Sequence, residues 1–201
     1  MAFWDFAAPF YDRAEQTNAQ AYDGMLQLTR KLVPEGAAVF EAAAGTGSVS
    51  IALADKAKRI LCTDLSQRML YMAQRKANQQ GISNIEFSVH SIFETGEPDN
   101  SYDIVIASQI LHLIDEPQKA AAELKRIART AVITPVCLLK GLHGFFPKQE
   151  VAFWRVLGFA PRREFDADGY RRFLAEIGLP PSRFEIINGN MPMAVSVYEK
   201  E

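Results

Sequence analysis

The chain alternates two patterns. Short runs are almost wholly apolar: "AAVFEA" (37–42), "KRILCTD" (58–64), "IEFSVHS" (85–91), "YDIVIAS" (102–108) and "AVITPV" (131–136). They read as strands. Between them, apolar positions recur every three or four residues, which is the signature of helices. These helices are "GSVSIALAD" (47–55), "SQRMLYMAQRKANQQ" (66–80) and "EPQKAAAELKRIA" (116–128). Ser66 is placed to cap the second of them, Gly81 to stop it, and Pro117 to open the third. The nearly unbroken apolar run at 102–108 suits a parallel strand buried on both faces. Strand–helix alternation of this kind predicts a doubly wound α/β fold, a mostly parallel sheet with helices on both faces.

The flanks follow other rhythms. Residues 17–33 form an amphipathic pattern, and about 1–33 are expected to make an N-terminal helical cap. Residues 141–159 are rich in aromatics and fit no strand. Residues 166–178 read as a helix. "RFEIING" and "MAVSVYEK" read as two strands turning around 188–192, a C-terminal antiparallel hairpin. No repeat or linker composition divides the chain, so residues 1–201 are expected to form a single domain, with an aromatic-rich insertion at about 140–165.

Composition narrows the function. Of 201 residues, 48% are apolar and 23% charged, as in a globular domain, and the formal charge of −2 argues against a nucleic-acid partner. The longest apolar run, around "AVITPVCLL", is far shorter than the roughly twenty residues of a membrane helix. The N-terminus has no basic stretch ahead of an apolar core, so no signal peptide is read there and a cytoplasmic location is expected. Cys62 and Cys137 form no metal-binding pattern and read as two buried thiols. No metal site is expected. A homodimer remains among the expected assemblies.

Four segments fall at the carboxyl ends of predicted strands: Glu41–Gly47, Asp64–Leu65, His90–Ile92 and Ala107–Leu111. In open α/β sheets that is where ligands bind. In "VFEAAAGTGSVS", Gly45 and Gly47 allow close approach of backbone and ligand, and the following helix offers N–H groups. Asp64, 17 residues beyond Gly47, can accept both hydroxyls of a ribose. A tight turn and a helix-capping acid are the plain alternatives for each feature alone; together they favour a nucleoside cofactor. The third glycine of a dinucleotide fingerprint is missing, since Val49 or Ser50 stands there. Glu41 would repel a pyrophosphate and attract a cation, which favours S-adenosylmethionine, with its ammonium and sulfonium groups.

These segments resemble the class I S-adenosylmethionine-dependent methyltransferases, a Rossmann-like family, and among them the small-molecule branch that includes the quinone-biosynthesis enzymes. "VFEAAAGTG" looks like the family's first motif. "CTDLSQRML" looks like the next, which would set Asp64 on the ribose, Leu65 beside the adenine and Met69 nearby. "NSYDIVIASQILHLIDEP", with Ser108, is similar to the fourth-strand segment. "WDFAAPFYDR" looks like the segment that closes over the cofactor, with Tyr11 near its methionine end. Two positions depart from the pattern. Ala43 replaces the loop's first glycine and is expected to keep a negative φ. Ser91 replaces an acid before Ile92 and is expected to bond the adenine amino group, with His90 as a wall.

The reaction so implied is direct methyl displacement onto a small-molecule acceptor. Alignment and exclusion of water supply much of the catalysis, and a base is needed only if the nucleophile must lose a proton. His112 and His143 are the candidate bases. For His112 the preferred reading is packing at the next helix, and for His143 a solvated loop. The rings of Phe145, Phe146, Phe153, Trp154 and Phe159 would line an apolar chamber or pack on the sheet. Arg155, Arg162, Arg163, Arg171 and Arg172 are expected to pair with the interspersed acids. "ASQI" after the fourth strand lacks the Asn/Asp-Pro-Pro-aromatic grip of nucleic-acid amine methyltransferases. Two alternatives stand beside this reading: a non-catalytic protein that binds S-adenosylmethionine or S-adenosylhomocysteine, and a nicotinamide-dependent oxidoreductase.

Overall fold

In a computed structural model, residues 2–142, 152 and 161–200 are described. Two helices, α1 (Ala2–Gln16) and α2 (Ala19–Leu32), precede β1 (Ala38–Ala42), α3 (Ser48–Leu53), β2 (Arg59–Asp64), α4 (Gln67–Gln79) and β3 (Ile85–Val89). Then come β4 (Tyr102–Ala107), α5 (Pro117–Ile127), β5 (Ala128–Cys137), α6 (Ala167–Glu176), β6 (Arg183–Ile187) and β7 (Met193–Glu199). The expected strands all form. β5 starts three residues earlier than its apolar run, because Ala128 already pairs with Tyr102.

The seven strands lie in the order β3-β2-β1-β4-β5-β7-β6. The first five run parallel, and β7 is antiparallel to both β5 and β6. The chain winds outward from β1 through β2 to β3, then returns to lay β4 on β1's other side. That reversal opens a crevice beyond the carboxyl ends of β1 and β4, whose register runs from Val39↔Ile104 to Ala42↔Ala107.

Strand alternation splits the core in two. Phe40, Ala42, Tyr102 and Val105 pack with Leu124 and Ile127 of α5 and with Tyr170, Phe173 and Leu174 of α6. Val39, Ile60, Ile104 and Ile106 pack on the other face with Met25 of α2 and Leu53 of α3. The helix ends follow their side chains. Ser66 Oγ accepts from Met69 N at 3.2 Å, as expected of a cap, and Asp166 Oδ1 accepts from Gly169 N at 2.7 Å. Cys62 is buried and Cys137 only half-buried, which corrects the expectation of two buried thiols. No described helix is long and apolar enough to cross a membrane.

The described arginines near α6 find partners other than the neighbouring acids. Arg162 pairs with Asp115, Arg163 donates to the Ile114 carbonyl at 3.0 Å, and Arg171 lies 4.1 Å over the Phe184 ring. Arg155 and the five aromatics from Phe145 to Phe159 lie outside the described residues.

Glu123 on α5 ties down the loop before β4 by accepting from Thr95 N at 2.8 Å and Oγ1 at 2.6 Å. Arg126 beside it, aided by Thr95, holds its carboxyl well down, at about 2. A carboxyl depressed in the fold stabilises above its ordinary value, and that contribution is lost as pH falls toward about 2. Urea denaturation at a series of pH values should show Glu123→Gln with a shallower acid loss of stability than the parent between about pH 4.5 and 2.

Candidate functional site

A cavity of about 250 Å³ opens at the β1/β4 crevice. Of the residues singled out in the sequence, Tyr11, Ala43, Gly45, Asp64, Leu65, Met69, His90, Ile92 and Ser108 line it. They come from α1 and from the ends of β1, β2, β3 and β4, so the topology assembles four separate sequence segments as expected.

The loop after β1 is fixed by its own backbone. Gly45 N donates to Asp64 Oδ2 at 2.9 Å, Ser66 N to Asp64 Oδ1 at 2.8 Å, and Ala44 N to the Thr63 carbonyl at 2.8 Å. Burial raises the Asp64 carboxyl, against the N–H groups of Ser66, Gly45 and Leu65 that pull it down. Each carboxylate oxygen keeps a lone-pair position beyond its backbone bond. A Cβ on Gly45 would touch the Tyr11 ring at 3.6 Å, so α1 lies directly on the loop.

Two polar clasps hold α1 there. Ser66 Oγ donates to Asp5 Oδ1 at 2.5 Å. Lys76 Nζ donates to Asp12 Oδ1 at 2.9 Å and to Thr46 Oγ1 at 3.1 Å. Trp4 joins Tyr11 edge-to-face, with ring centroids 6.1 Å apart, and also lines the cavity. Sequence reasoning named Tyr11 and missed Trp4, although seven residues is two helical turns and places both rings on one face.

One expectation, on the backbone of Ala43, is corrected, and three of the named residues lie off the cavity wall. Glu41 does not line the cavity. It points to the opposite side of β1 from Phe40, is 1% exposed, and its Oε2 accepts from Ser50 N at 2.9 Å and from the Ser50 hydroxyl. Ser50 is the third residue of α3, whose cap position is Gly47, without a side chain. The acid therefore caps the helix. Gly47 is likewise behind the crevice: at φ +74, its Cβ would come within 2.8 Å of Ala73 Cβ on α4. Ser91 is turned to its own strand exit, where its Oγ accepts from Phe93 N at 3.2 Å, and it does not line the cavity. Ala43 has φ +50, not a negative φ, because the turn into Gly45 requires the left-handed conformation whatever residue stands there.

His112 does not line the cavity either. It is 4% exposed, and burial alone pushes its imidazole down to about 4. It is neutral at neutral pH and is held within the turn after β4, the packing role preferred from sequence. His143 lies outside the described residues. Sequence reasoning also missed Ser66, Phe93, Leu113 and Ile114, all of which line the cavity, as do Gln109 and Ile110 of the expected Ala107–Leu111 segment. Leu113 and Ile114 extend that segment beyond Leu111, which no spacing rule placed at the crevice.

Comparison with known proteins follows from this geometry. Residues 40–132 match the family model described as a methyltransferase domain. A demethylmenaquinone methyltransferase of Renibacterium salmoninarum is 32% identical over 134 residues, covering 64% of this chain and 53% of that protein. One from Clavibacter sepedonicus is 29% identical over 139 residues, covering 68% and 56%. The chain thus spans about half the length of these curated relatives. The magnesium protoporphyrin IX methyltransferase of Synechocystis, solved with bound S-adenosylhomocysteine, superposes with a TM-score of 0.65 at 20% identity, over 91% of this chain and 86% of that one. At that identity the likeness shows the fold.

Two predictions rest on these positions. Left-handed backbone costs a non-glycine residue about 1–2 kcal/mol, and glycine returns about 0.4–1 kcal/mol through unfolded-chain entropy. Ala43→Gly should therefore raise unfolding stability by about 0.5–1 kcal/mol in urea titration. For His112, a base depressed in the fold takes up its proton later than the unfolded chain, so stability is lost as pH falls from about 6.5 to about 4. His112→Phe should flatten that limb of the pH–stability curve.

Proposed function

We propose that this chain, which carries a class I S-adenosylmethionine-dependent methyltransferase domain over residues 40–132, transfers a methyl group to a small-molecule acceptor with an apolar or aromatic part. The observation that carries the reading is the Asp64–Gly45 bond, which fixes a half-buried carboxylate and a glycine-containing loop on one cavity at the switch in strand order. The chain's polar and apolar groups suit an adenosyl ligand. Asp64 keeps acceptor positions for ribose hydroxyls, Leu65, Met69 and Ile92 offer apolar contact to a base, and Ala43 and Gly45 present backbone to the amino-acid end. Bound S-adenosylmethionine supplies an electrophilic methyl group.

This chain's own part is to orient and to exclude water. Trp4 and Tyr11 roof the cavity from α1, while Phe93, Ile110, Leu113 and Ile114 give the acceptor side an apolar wall. Two relatives named for a demethylmenaquinone acceptor support a ring-bearing acceptor. His112, buried and off the cavity wall, is not placed to take a proton from the acceptor.

Calorimetry tests the reading. S-adenosylhomocysteine should bind, and NAD should not; the reverse result refutes it. Asp64→Ala should weaken S-adenosylhomocysteine binding by about 1–3 kcal/mol, the worth of hydrogen bonds to a charged group, in a variant that still melts cooperatively.

A further inference from the structure

We infer that Gln109 is a specificity-determining residue, one that selects acceptors bearing a hydrogen-bond-accepting oxygen such as a ketone carbonyl. The inference deepens the methyltransferase reading above and rests on it. Gln109 follows β4 on the cavity wall, beside Ser108 and Ile110. Its backbone is left-handed, with φ +56, in a residue that is not glycine. Such strain persists only where surrounding contacts over-determine it, and it clusters at functional sites.

Three contacts hold it. Gln109 N donates to the Pro135 carbonyl at 2.9 Å. Cys137 N donates to Gln109 Oε1 at 2.9 Å, and Gln109 Nε2 donates to Cys137 Sγ at 3.3 Å. A backbone N–H can only donate, so it fixes which end of the amide is oxygen. The amide therefore cannot flip. Its oxygen is engaged by β5, and its nitrogen carries two protons, of which the thiol takes one. The second N–H has no partner among the described residues.

Gln109 thus holds one amide donor in a fixed orientation, in a residue that shares the cavity wall with Phe93, Ile110 and Leu113. Neighbouring Ser108 also lines the cavity, but a hydroxyl donates and accepts alike and does not discriminate. An amide N–H offers only a proton. A donor whose water is displaced by a ligand and not replaced is penalised, so an acceptor without a matching oxygen binds less well.

The test uses the full chain saturated with S-adenosylhomocysteine. The probes are 1-tetralone and tetralin, bicyclic molecules of similar size that differ by one carbonyl, and binding is followed by ligand-observed NMR titration. The parent should bind 1-tetralone about tenfold more tightly than tetralin, as one hydrogen bond implies. Gln109→Met should lose the preference, read as the ratio of the two affinities in the same variant. Gln109→Glu keeps the oxygen that accepts from Cys137 N but removes the donor, and should prefer tetralin. Equal binding of the two probes by the parent, no binding of 1-tetralone, or a preference that survives in Gln109→Met would overturn the inference. Failure of the parent to bind S-adenosylhomocysteine would instead overturn the methyltransferase reading, and this inference with it.

Discussion

The site is built on a carboxylate that never reaches it. Glu41 leaves β1 on the face away from Phe40 and accepts the Ser50 backbone N–H and hydroxyl at the start of α3. A six-residue helix has little stability of its own, and Gly47 at its cap position has no side chain to satisfy the first turn. The preceding strand provides the missing acceptor. That frees Gly47 to be a glycine, which it must be, since a Cβ there would run into Ala73 of α4. Close packing of α3 on α4 and a bare loop facing the crevice are thus two consequences of one buried bond.

With the loop so fixed, Gly45 can lend its N–H to Asp64, and Asp64 in turn orients the start of α4 through Ser66 N. The same Ser66 uses its hydroxyl for both α4's cap and Asp5 of α1. On the far side of the loop, Thr46 and Asp12 share Lys76. Helix α1 therefore rests on the residues that shape the loop rather than on the sheet. Its aromatic roof over the cavity is coupled to the loop's geometry through side-chain hydrogen bonds, which are weaker and more exposed than the core packing of the strands.

Much of this was legible in the sequence, and the limits are physical. The strands, the helix cap at Ser66 and the gathering of four strand ends follow from periodicity and from the fold class it implies, which act locally or through topology alone. The side on which Glu41 lies was also encoded, since Val39 and Glu41 share one face of β1 and Phe40 and Ala42 the other. What misled was chemistry: an acid beside a glycine loop reads as a ligand partner until the glycine cap is recognised as needing one. Trp4 and Asp5 repeat seven residues later as Tyr11 and Asp12, a periodicity present in the chain but meaningful only once α1 is known to lie on the loop. Leu113 and Ile114 could not be placed, because no local rule states how far a turn after a strand folds back toward the crevice.

Ala43 and Gln109 bring out a shared constraint. Ala42 pairs with Ala107 at the ends of β1 and β4. One residue beyond the first and two beyond the second, the chain turns through a left-handed residue that is not glycine. Both turns bend the backbone off the sheet where the crevice must open, and each is braced by a neighbouring strand: β2 through the Thr63 carbonyl on Ala44, β5 through Pro135 and Cys137 on Gln109. Glycine at either position would relieve the strain but lose something. At 43 it would remove the side chain of a residue on the cavity wall. At 109 it would remove the amide that bridges β4 to β5. The two left-handed residues therefore both lie on the cavity wall, where the chain leaves the paired ends of β1 and β4.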